Sequence, residues 1–388
     1  IMFTVKYYGL PFGMAVTASH NPAIYNGVKV FMKGGRDADE LLTHELERYI
    51  NEIEADEIKT VPFEEGVRRG LIQKIDPMNE YIDSIIRSIN MDAIRSKRLK
   101  VALDPMYGVS KTALQTILLT ARCDVDVIHE RRDALFGGRL PAPNLKTLAG
   151  LMSFVEEHGC DIGIATDGDA DRLGVIDDEA NFLHPNEILV LLYYYLMKYK
   201  GWQGAVVRNI ATTHLLDKIA AAFGEESYEV PVGFKHISSK MVETNAIIGG
   251  ESSGGLTVRG HIQGKDGIYA AALLVEMIAT TGRKLSEIYK DITAEFGTYE
   301  MVESDYKFTS ERKEEIMKQL IEDRELPEFP YEIDRVSYVD GCKVYFKNDG
   351  WIIARFSGTE PLLRVFCEMD TMENAEKIAK ILTEFLSL

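Results

Sequence analysis

The chain has 388 residues, 46% hydrophobic and 27% charged, the composition of a soluble globular protein too long for one ordinary core. A prior of roughly 100–200 residues per domain predicts two to four domains. Its 61 Asp+Glu against 44 Lys+Arg leave a net charge of -17, which argues against nucleic-acid and anionic-membrane partners and requires an anionic ligand to find a local basic pocket.

Residues 1–76 read as part of an α/β domain. An apolar, strand-like entry segment leads to the polar string Thr17-Ala18-Ser19-His20-Asn21-Pro22. A strand follows from Gly27 to Met32, with Val28, Val30 and Met32 alternating with Lys29, Phe31 and Lys33, then a helix from about Asp39 to Asn51. The opening lacks a basic leader and a long apolar run. Asp76-Pro77 breaks the chain. Residues 77–185 form a second unit: a linker helix from Met78 to Ile94, a strand Leu99 to Leu103, a helix Lys111 to Leu119 and a strand Asp124 to His129. Leu148, Leu151, Met152 and Val155 then mark one face of a helix that Gly159 ends, and Asp161 to Thr166 is a strand. That strand delivers an acidic loop at its carboxyl end, where open α/β sheets hold ligands.

Residues 186–296 repeat the alternation. The most apolar stretch, Ile188 to Met197, lies in a helix 187–199 and is too short for a bilayer span of about 20 residues. After it come a strand Ala205 to Arg208, a helix 213–223, a loop at 233–236, a strand Ala246 to Ile248 and a glycine-rich turn at 249–255. The helix after Asp266 carries Ile268, Ala271, Ala272, Val275 and Ala279 on one face. Residues 297–388 differ in kind, with a charged helix 310–323, strands at 342–347, 351–356 and 362–369, and a closing helix that turns Ala375, Ile378, Ala379, Leu382, Phe385 and Leu386 inward. This is a small α+β domain. The four cysteines form no C-x-x-C pair, so neither zinc nor a disulfide framework is signalled, and a reducing cytoplasm is the simplest home.

Four loops carry chemistry. The first sets the Ser19 hydroxyl beside His20; Ser-His adjacency alone is common and a polar turn before a strand is its plainer reading, and a Ser/His hydrolase would need an orienting acid. The second, Asp167-Gly168-Asp169-Ala170-Asp171-Arg172, has alternate carboxylates able to converge on one hard cation. It is no EF-hand: counting from Asp167, Arg172 stands where the glycine belongs and Asp178 where the glutamate belongs. Three carboxylates at ~4 Å repel by about 4 kcal/mol per pair at an effective dielectric of ~20, so a merely solvated turn also fits poorly. The third region pairs Gly233-Phe234-Lys235-His236 with Gly249-Gly250-Glu251-Ser252-Ser253-Gly254-Gly255, where Glu251 and Ser253 suit vicinal sugar hydroxyls. Its alternative is a plain glycine turn. In the fourth, Arg355-Phe356-Ser357-Gly358-Thr359-Glu360-Pro361 with Arg364, hydroxyls, amides and two arginines suit a phosphate; a hairpin with solvated arginines is the alternative.

The strings TASHNPAIYNGVK, DGDADR, GESSGG and RFSGTEPLLRV, in this order and one per expected domain, resemble the α-D-phosphohexomutases over the whole chain. The resemblance implies three similar mixed α/β sheet domains, the first incomplete, plus a C-terminal α+β domain, around a central cleft. The domains would be 1–76 with the phosphoserine loop, 77–185 with the metal loop, 186–296 with the sugar-binding loop and 297–388 with the phosphate-binding loop. It implies that Ser19 carries the phosphoryl group beside catalytic His20 and Lys29, and that Asp167, Asp169, Asp171 and the Ser19 phosphate hold Mg²⁺. Arg172, Gly233, Lys235, His236, Glu251 and Ser253 would meet the sugar phosphate, and Arg355, Ser357, Gly358, Thr359 and Arg364 the phosphate that is not reacting. The implied enzyme is an intramolecular phosphotransferase of the isomerase class. It would interconvert hexose 1-phosphate and 6-phosphate, glucose or mannose, through a hexose 1,6-bisphosphate that also activates it. Some members have histidine where this chain has Gly255, which leaves Lys29 and His236 as candidate bases. Nothing here matches the family's glycine-rich turn and arginine before the serine loop, so a truncated chain is expected. A catalytically silent sugar-phosphate-binding relative and a metal-dependent sugar phosphatase remain as alternatives.

Overall fold

The computed structural model describes residues 1–357 and 362–388. The chain divides into two compact units, residues 1–183 with 255–282, and residues 184–254 with 283–388.

In the first unit the entry segment is a short helix, Met2–Tyr7, rather than the expected strand-like run. Its Met2 and Val5 are buried, an i, i+3 pair that serves a helix as well as an apolar run serves a strand. A three-stranded antiparallel sheet follows, Phe12–Val16, Val28–Met32 and Arg36–Asp37. Val16 pairs with Val28, and the Thr17 amide donates to the Gly27 carbonyl at 3.0 Å, so the Ser19 loop is the closed tip of a hairpin. Lys29 lies on the same side of its strand as the buried Phe31, not on the exposed Val28 side.

The second sheet of this unit has the order Asp124–Val127, Lys100–Asp104, Ile162–Thr166, Leu173–Ile176, Phe182–Leu183. The first three strands are parallel and the last two antiparallel. The acidic loop is therefore a hairpin connection between Thr166 and its cross-strand partner Leu173. The expected single linker helix breaks into Met78–Ser88 and Met91–Lys97, because Asn90 leaves the helix to cap the second piece through Ala93 N. Gly159 adopts the left-handed conformation that ends Ala149–His158. The helix Gly267–Thr281 packs on Met91–Lys97 and on Lys111–Thr120, and it is buried from Gly267 through Ala279, not on one face alone. Full burial of each Leu, Ile, Val or Met here contributes roughly 1.5–3 kcal/mol.

In the second unit Val206–Asn209 lies between Ser227–Val230 and Ile248–Gly250, both parallel to it. The helix Pro185–Lys198 opens with proline at its start and a reciprocal His184 and Glu187 cap, and it is buried at Asn186 and from Ile188 to Met197. The segment 233–236 is not a loop: Gly233, at φ 124°, caps a helix Phe234–Thr244. The C-terminal sheet is wholly antiparallel, in the order Glu300–Lys307, Leu362–Met369, Trp351–Phe356, Cys342–Phe346, Ile333–Ser337. Helix Met372–Phe385 covers it, and helix Ser310–Met317 continues as a π turn, Lys318–Glu322. The four cysteines are free and buried. No helix among the described residues is long and apolar enough to cross a membrane.

Candidate active site

In the first unit two hairpin tips meet. Ser19 sits at φ 53°, a left-handed conformation that serine adopts only under constraint from its surroundings. The constraint is visible: Thr17 Oγ1 accepts from the Ser19 amide at 2.9 Å and donates to Asp169 Oδ2 at 3.1 Å. Ser19 Oγ lies 3.2 Å from Asp167 Oδ2 and 3.2 Å from Asp169 Oδ1, with His20 Nδ1 at 3.4 Å. Gly168 is required by this approach, since a Cβ there would stand 2.7 Å from the Ser19 carbonyl oxygen.

Asp167, Asp169 and Asp171 bring one carboxylate oxygen each to within 4.8 Å of one another. Lys29 Nζ lies 2.8 Å from both Asp169 Oδ2 and Asp171 Oδ2, and Lys265 Nζ lies 3.0 Å from Asp171 Oδ2. Asp171 Oδ1 is buried with no hydrogen-bond partner among the described residues. An all-oxygen triad with a spare buried acceptor fits a hard divalent cation. Burial, then the charges of Asp171 and Asp169, push Asp167 up to about 7. Burial would raise Asp171 too, but Lys265 and Lys29 outweigh it and hold this carboxyl below its usual range. Burial alone would lower Lys29; the two carboxylates reverse that and keep it an ammonium. Burial, followed by the charges of Arg172 and Lys265, brings His20 down to about 4, leaving a neutral imidazole beside Ser19. Arg172 Nε is buried and donates to no described residue, while its amide donates to Asp167 Oδ1 at 3.0 Å.

In the second unit Glu251 is buried at the end of Ile248–Gly250. Its Oε1 accepts from the Gly233 amide at 3.2 Å and faces Asn209 Nδ2 at 3.5 Å, and its Oε2 accepts from Ser253 Oγ at 3.4 Å. Lys235 and His236 stand in the first turn of the helix that Gly233 caps. Arg355 and Arg364 are direct cross-strand partners. Like charges so placed destabilise a sheet unless anions offset them, and Arg355 Nε donates to Asp340 Oδ1 at 2.9 Å while Arg364 Nε lies 3.6 Å from Asp305 Oδ1. The Ser357 amide donates to the Leu362 carbonyl at 2.9 Å. Gly358 and Thr359 lie outside the described residues.

Four family models match in order: phosphoglucomutase/phosphomannomutase alpha/beta/alpha domain I over residues 1–57, domain II over 79–180, domain III over 184–296, and the C-terminal domain over 307–385. The chain belongs to this family. It is a phosphohexomutase, an isomerase-class phosphotransferase. It is 31% identical to the phosphoglucomutase/phosphomannomutase of Thermococcus kodakarensis, over 98% of this chain and 80% of that one. It is 32% identical to a probable phosphoglucosamine mutase of Pyrococcus horikoshii, over 97% of this chain and 79% of that one. A solved phosphoglucomutase/phosphomannomutase family protein from Burkholderia thailandensis superposes with a TM-score of 0.77 at 20% identity, covering 97% of this chain and 76% of that one.

Within this phosphohexomutase the first unit gathers Ser19, His20, Lys29, Asp167, Asp169, Asp171 and Arg172, and the second gathers Gly233, Glu251 and Ser253. Sequence reasoning missed Thr17, Lys265, Asn209 and Asp340. Lys265 had a signal, a lysine between Gly264 and the helix-capping Asp266-Gly267. Asn209 and Asp340 had none, for their partners are distant in sequence.

Proposed function

We propose that this phosphohexomutase interconverts the 1- and 6-phosphates of glucose or mannose through a phosphorylated Ser19 and a hexose 1,6-bisphosphate. The observation that carries the reading is Ser19 Oγ lying 3.2 Å from two carboxylates of a triad suited to Mg²⁺. In the first transfer the phosphorus–Oγ bond at Ser19 breaks, a sugar hydroxyl oxygen forms the new bond to phosphorus, the hydroxyl proton leaves and Oγ gains one. In the second, after the bisphosphate has turned over, the bond from phosphorus to the other sugar oxygen breaks, Ser19 Oγ gives up its proton and takes the phosphoryl group back, and the freed sugar oxygen gains a proton. Bound Mg²⁺ would offset charge on the phosphoryl oxygens. Lys29, 2.8 Å from Asp169 and Asp171, brings a positive charge to the reacting phosphoryl group, and Lys29 and His236 are the candidate bases. The neutral His20 at 3.4 Å suits proton exchange with Ser19 Oγ. Arg172, whose buried Nε donates to no described residue, meets the sugar phosphate. Glu251 and Ser253, with Gly233, Lys235 and His236, hold the sugar; Arg355, Ser357, Gly358, Thr359 and Arg364 hold the other phosphate. We assign the domains to 1–76, 77–185, 186–296 and 297–388.

A coupled assay for glucose 6-phosphate from glucose 1-phosphate, run with Ser19 labelling by radioactive glucose 1,6-bisphosphate, tests the reading. Labelling with isomerisation supports it. Uptake without labelling marks a silent binding relative, and release of inorganic phosphate marks a phosphatase. The likeness to the Pyrococcus horikoshii protein favours a second substrate, glucosamine 1-phosphate, so kcat/KM is compared across the three 1-phosphates.

A further inference from the structure

Asn209 closes the strand Val206–Asn209 and is 3% exposed. Its Oδ1 accepts from the Ala211 amide at 2.9 Å and from Thr212 Oγ1 at 2.8 Å. The Ala211 amide fixes which way the side-chain amide points, because a flip would set the NH₂ against a backbone N–H that can only donate, whereas the Thr212 hydroxyl could adapt to either. The NH₂ therefore faces Glu251 Oε1, 3.5 Å away. The same oxygen takes the Gly233 amide at 3.2 Å, and the other carboxylate oxygen takes the Ser253 hydroxyl at 3.4 Å. The strand end itself is braced, since the neighbouring Arg208 is buried with Nη2 2.6 Å from Asp217 Oδ2 and Nη1 2.7 Å from Glu229 Oε2. Glu251 is thus aimed by a rigid strand end on one side and the Gly233 helix cap on the other.

We infer that Asn209 is a positioning residue for Glu251: its amide orients the carboxylate so that the remaining acceptor directions meet vicinal hydroxyls of the sugar. This rests on the sugar-binding reading of Glu251 given above and adds the residue on which its aim depends. Both groups are nearly out of water, so a donor at this place matters more than it would on the surface.

Asn209→Asp is the informative variant. It keeps the acceptor for Ala211 and Thr212, so the turn survives, but it sets a carboxylate against a carboxylate. Binding is measured by calorimetry with glucose 1-, mannose 1- and glucosamine 1-phosphate, the tightest being used thereafter, together with the 3-deoxy and 4-deoxy forms of that ligand. Loss of a hydrogen bond to a charged group predicts a roughly tenfold weaker Kd for Asn209→Asp, read well below the melting temperature of the variant, which the buried carboxylate pair lowers. One of the deoxy ligands should be bound equally by wild type and variant, because the hydroxyl that Glu251 would meet is gone. In a Glu251→Ala background, which leaves no carboxylate to aim or to repel the one introduced by Asn209→Asp, the further penalty should vanish. If wild type binds the parent ligand and Asn209→Asp binds it as tightly, the positioning role is overturned while the sugar-binding reading stands. A penalty that persists undiminished with both deoxy ligands and in Glu251→Ala also overturns it, leaving Asn209 a brace for the fold. If wild type binds none of the three sugar phosphates, the underlying reading falls and this inference with it.

Discussion

Each unit of the molecule holds a cluster of buried charges, and the two are completed differently. Around the acidic loop of the first unit, Lys29 and Lys265 occupy one oxygen of Asp171 while the other is left with no donor among the described residues. In the second unit Lys343, fully buried, gives Nζ to the Ile210 carbonyl at 2.6 Å and to Glu229 Oε2 at 2.8 Å, with His214 Nε2 at 3.1 Å. Glu229 also takes Arg208 and the Tyr345 hydroxyl. One cluster keeps an acceptor in reserve in a strained loop; the other closes on itself between a parallel strand and the C-terminal sheet. Burial of charge alone therefore does not mark a site, and neither does a spare acceptor alone, since Glu80 Oε2 and Asn186 Oδ1 are also buried with no donor among the described residues; the spare acceptor of Asp171 counts because it lies in a triad of converging carboxylates.

Removing the hydroxyl at the centre of the first cluster should have the largest effect. Ser19→Ala is expected to lose phosphoryl labelling and to lower turnover by about 10⁴-fold or more, with Mn²⁺ binding followed by electron paramagnetic resonance retained. Full turnover would end the phosphoserine proposal. Asp169→Asn removes the charge of a carboxylate whose Oδ1 faces Ser19 and whose Oδ2 faces Thr17 and Lys29. Mg²⁺ affinity by calorimetry should fall at least about tenfold; an unchanged titration would move the cation elsewhere.

The approach of the two hairpin tips can be broken without touching a charge. In Gly168→Ala the new Cβ meets the Ser19 carbonyl oxygen at 2.7 Å, and both sides are backbone, so the tips must separate. Overpacking of this kind costs about 1–3 kcal/mol. Urea unfolding should register it, and turnover should fall even where the variant is fully folded. Wild-type turnover from a folded Gly168→Ala would show that the contact between the tips is dispensable.

How much of this was legible in the sequence follows the same physics. The acidic loop stood out because it concentrates charge that one strand end must place together, and the helix stops at Gly159 and Gly282 could be read from a residue that tolerates positive φ. The strand Leu173–Ile176 was hidden because it has only four residues, all buried and without alternation, directly after the acidic loop. Helix Phe234–Thr244 was masked by its own Gly-Phe-Lys-His opening, whose glycine serves as a cap. Lys265 and Asn209 join their sites through tertiary approach, which local sequence does not encode. Lys343 misleads most: a lysine in a strand normally faces water, yet this one is covered, with its ammonium 4.1 Å from the centroid of the Trp351 ring.

The closed cluster makes the smallest prediction, and the one that separates the two kinds of cluster by pH. Burial, then the charge of Arg208, brings Lys343 down to about 7 against the attraction of Glu229. Burial, then Arg208 and Lys343 itself, brings His214 down to about 3, so it stays neutral from pH 6 to 9. In the unfolded chain a lysine keeps its proton to about pH 10.4. Between about 7 and that value the unfolded state binds more protons than the folded one, so stability attributable to Lys343 rises with pH across this window and levels off below 7. Lys343→Met removes the titration while filling the same space, and replacing a buried charge by an apolar side chain of similar volume is often neutral. Arg208 remains to pair Glu229, so no carboxylate is abandoned. Urea unfolding from pH 6 to 9 should therefore show wild type gaining on Lys343→Met as pH rises, with the two nearly equal in stability at one end of the range. Parallel curves would mean that Lys343 stays charged throughout, and that the second cluster is an ordinary ion-pair network.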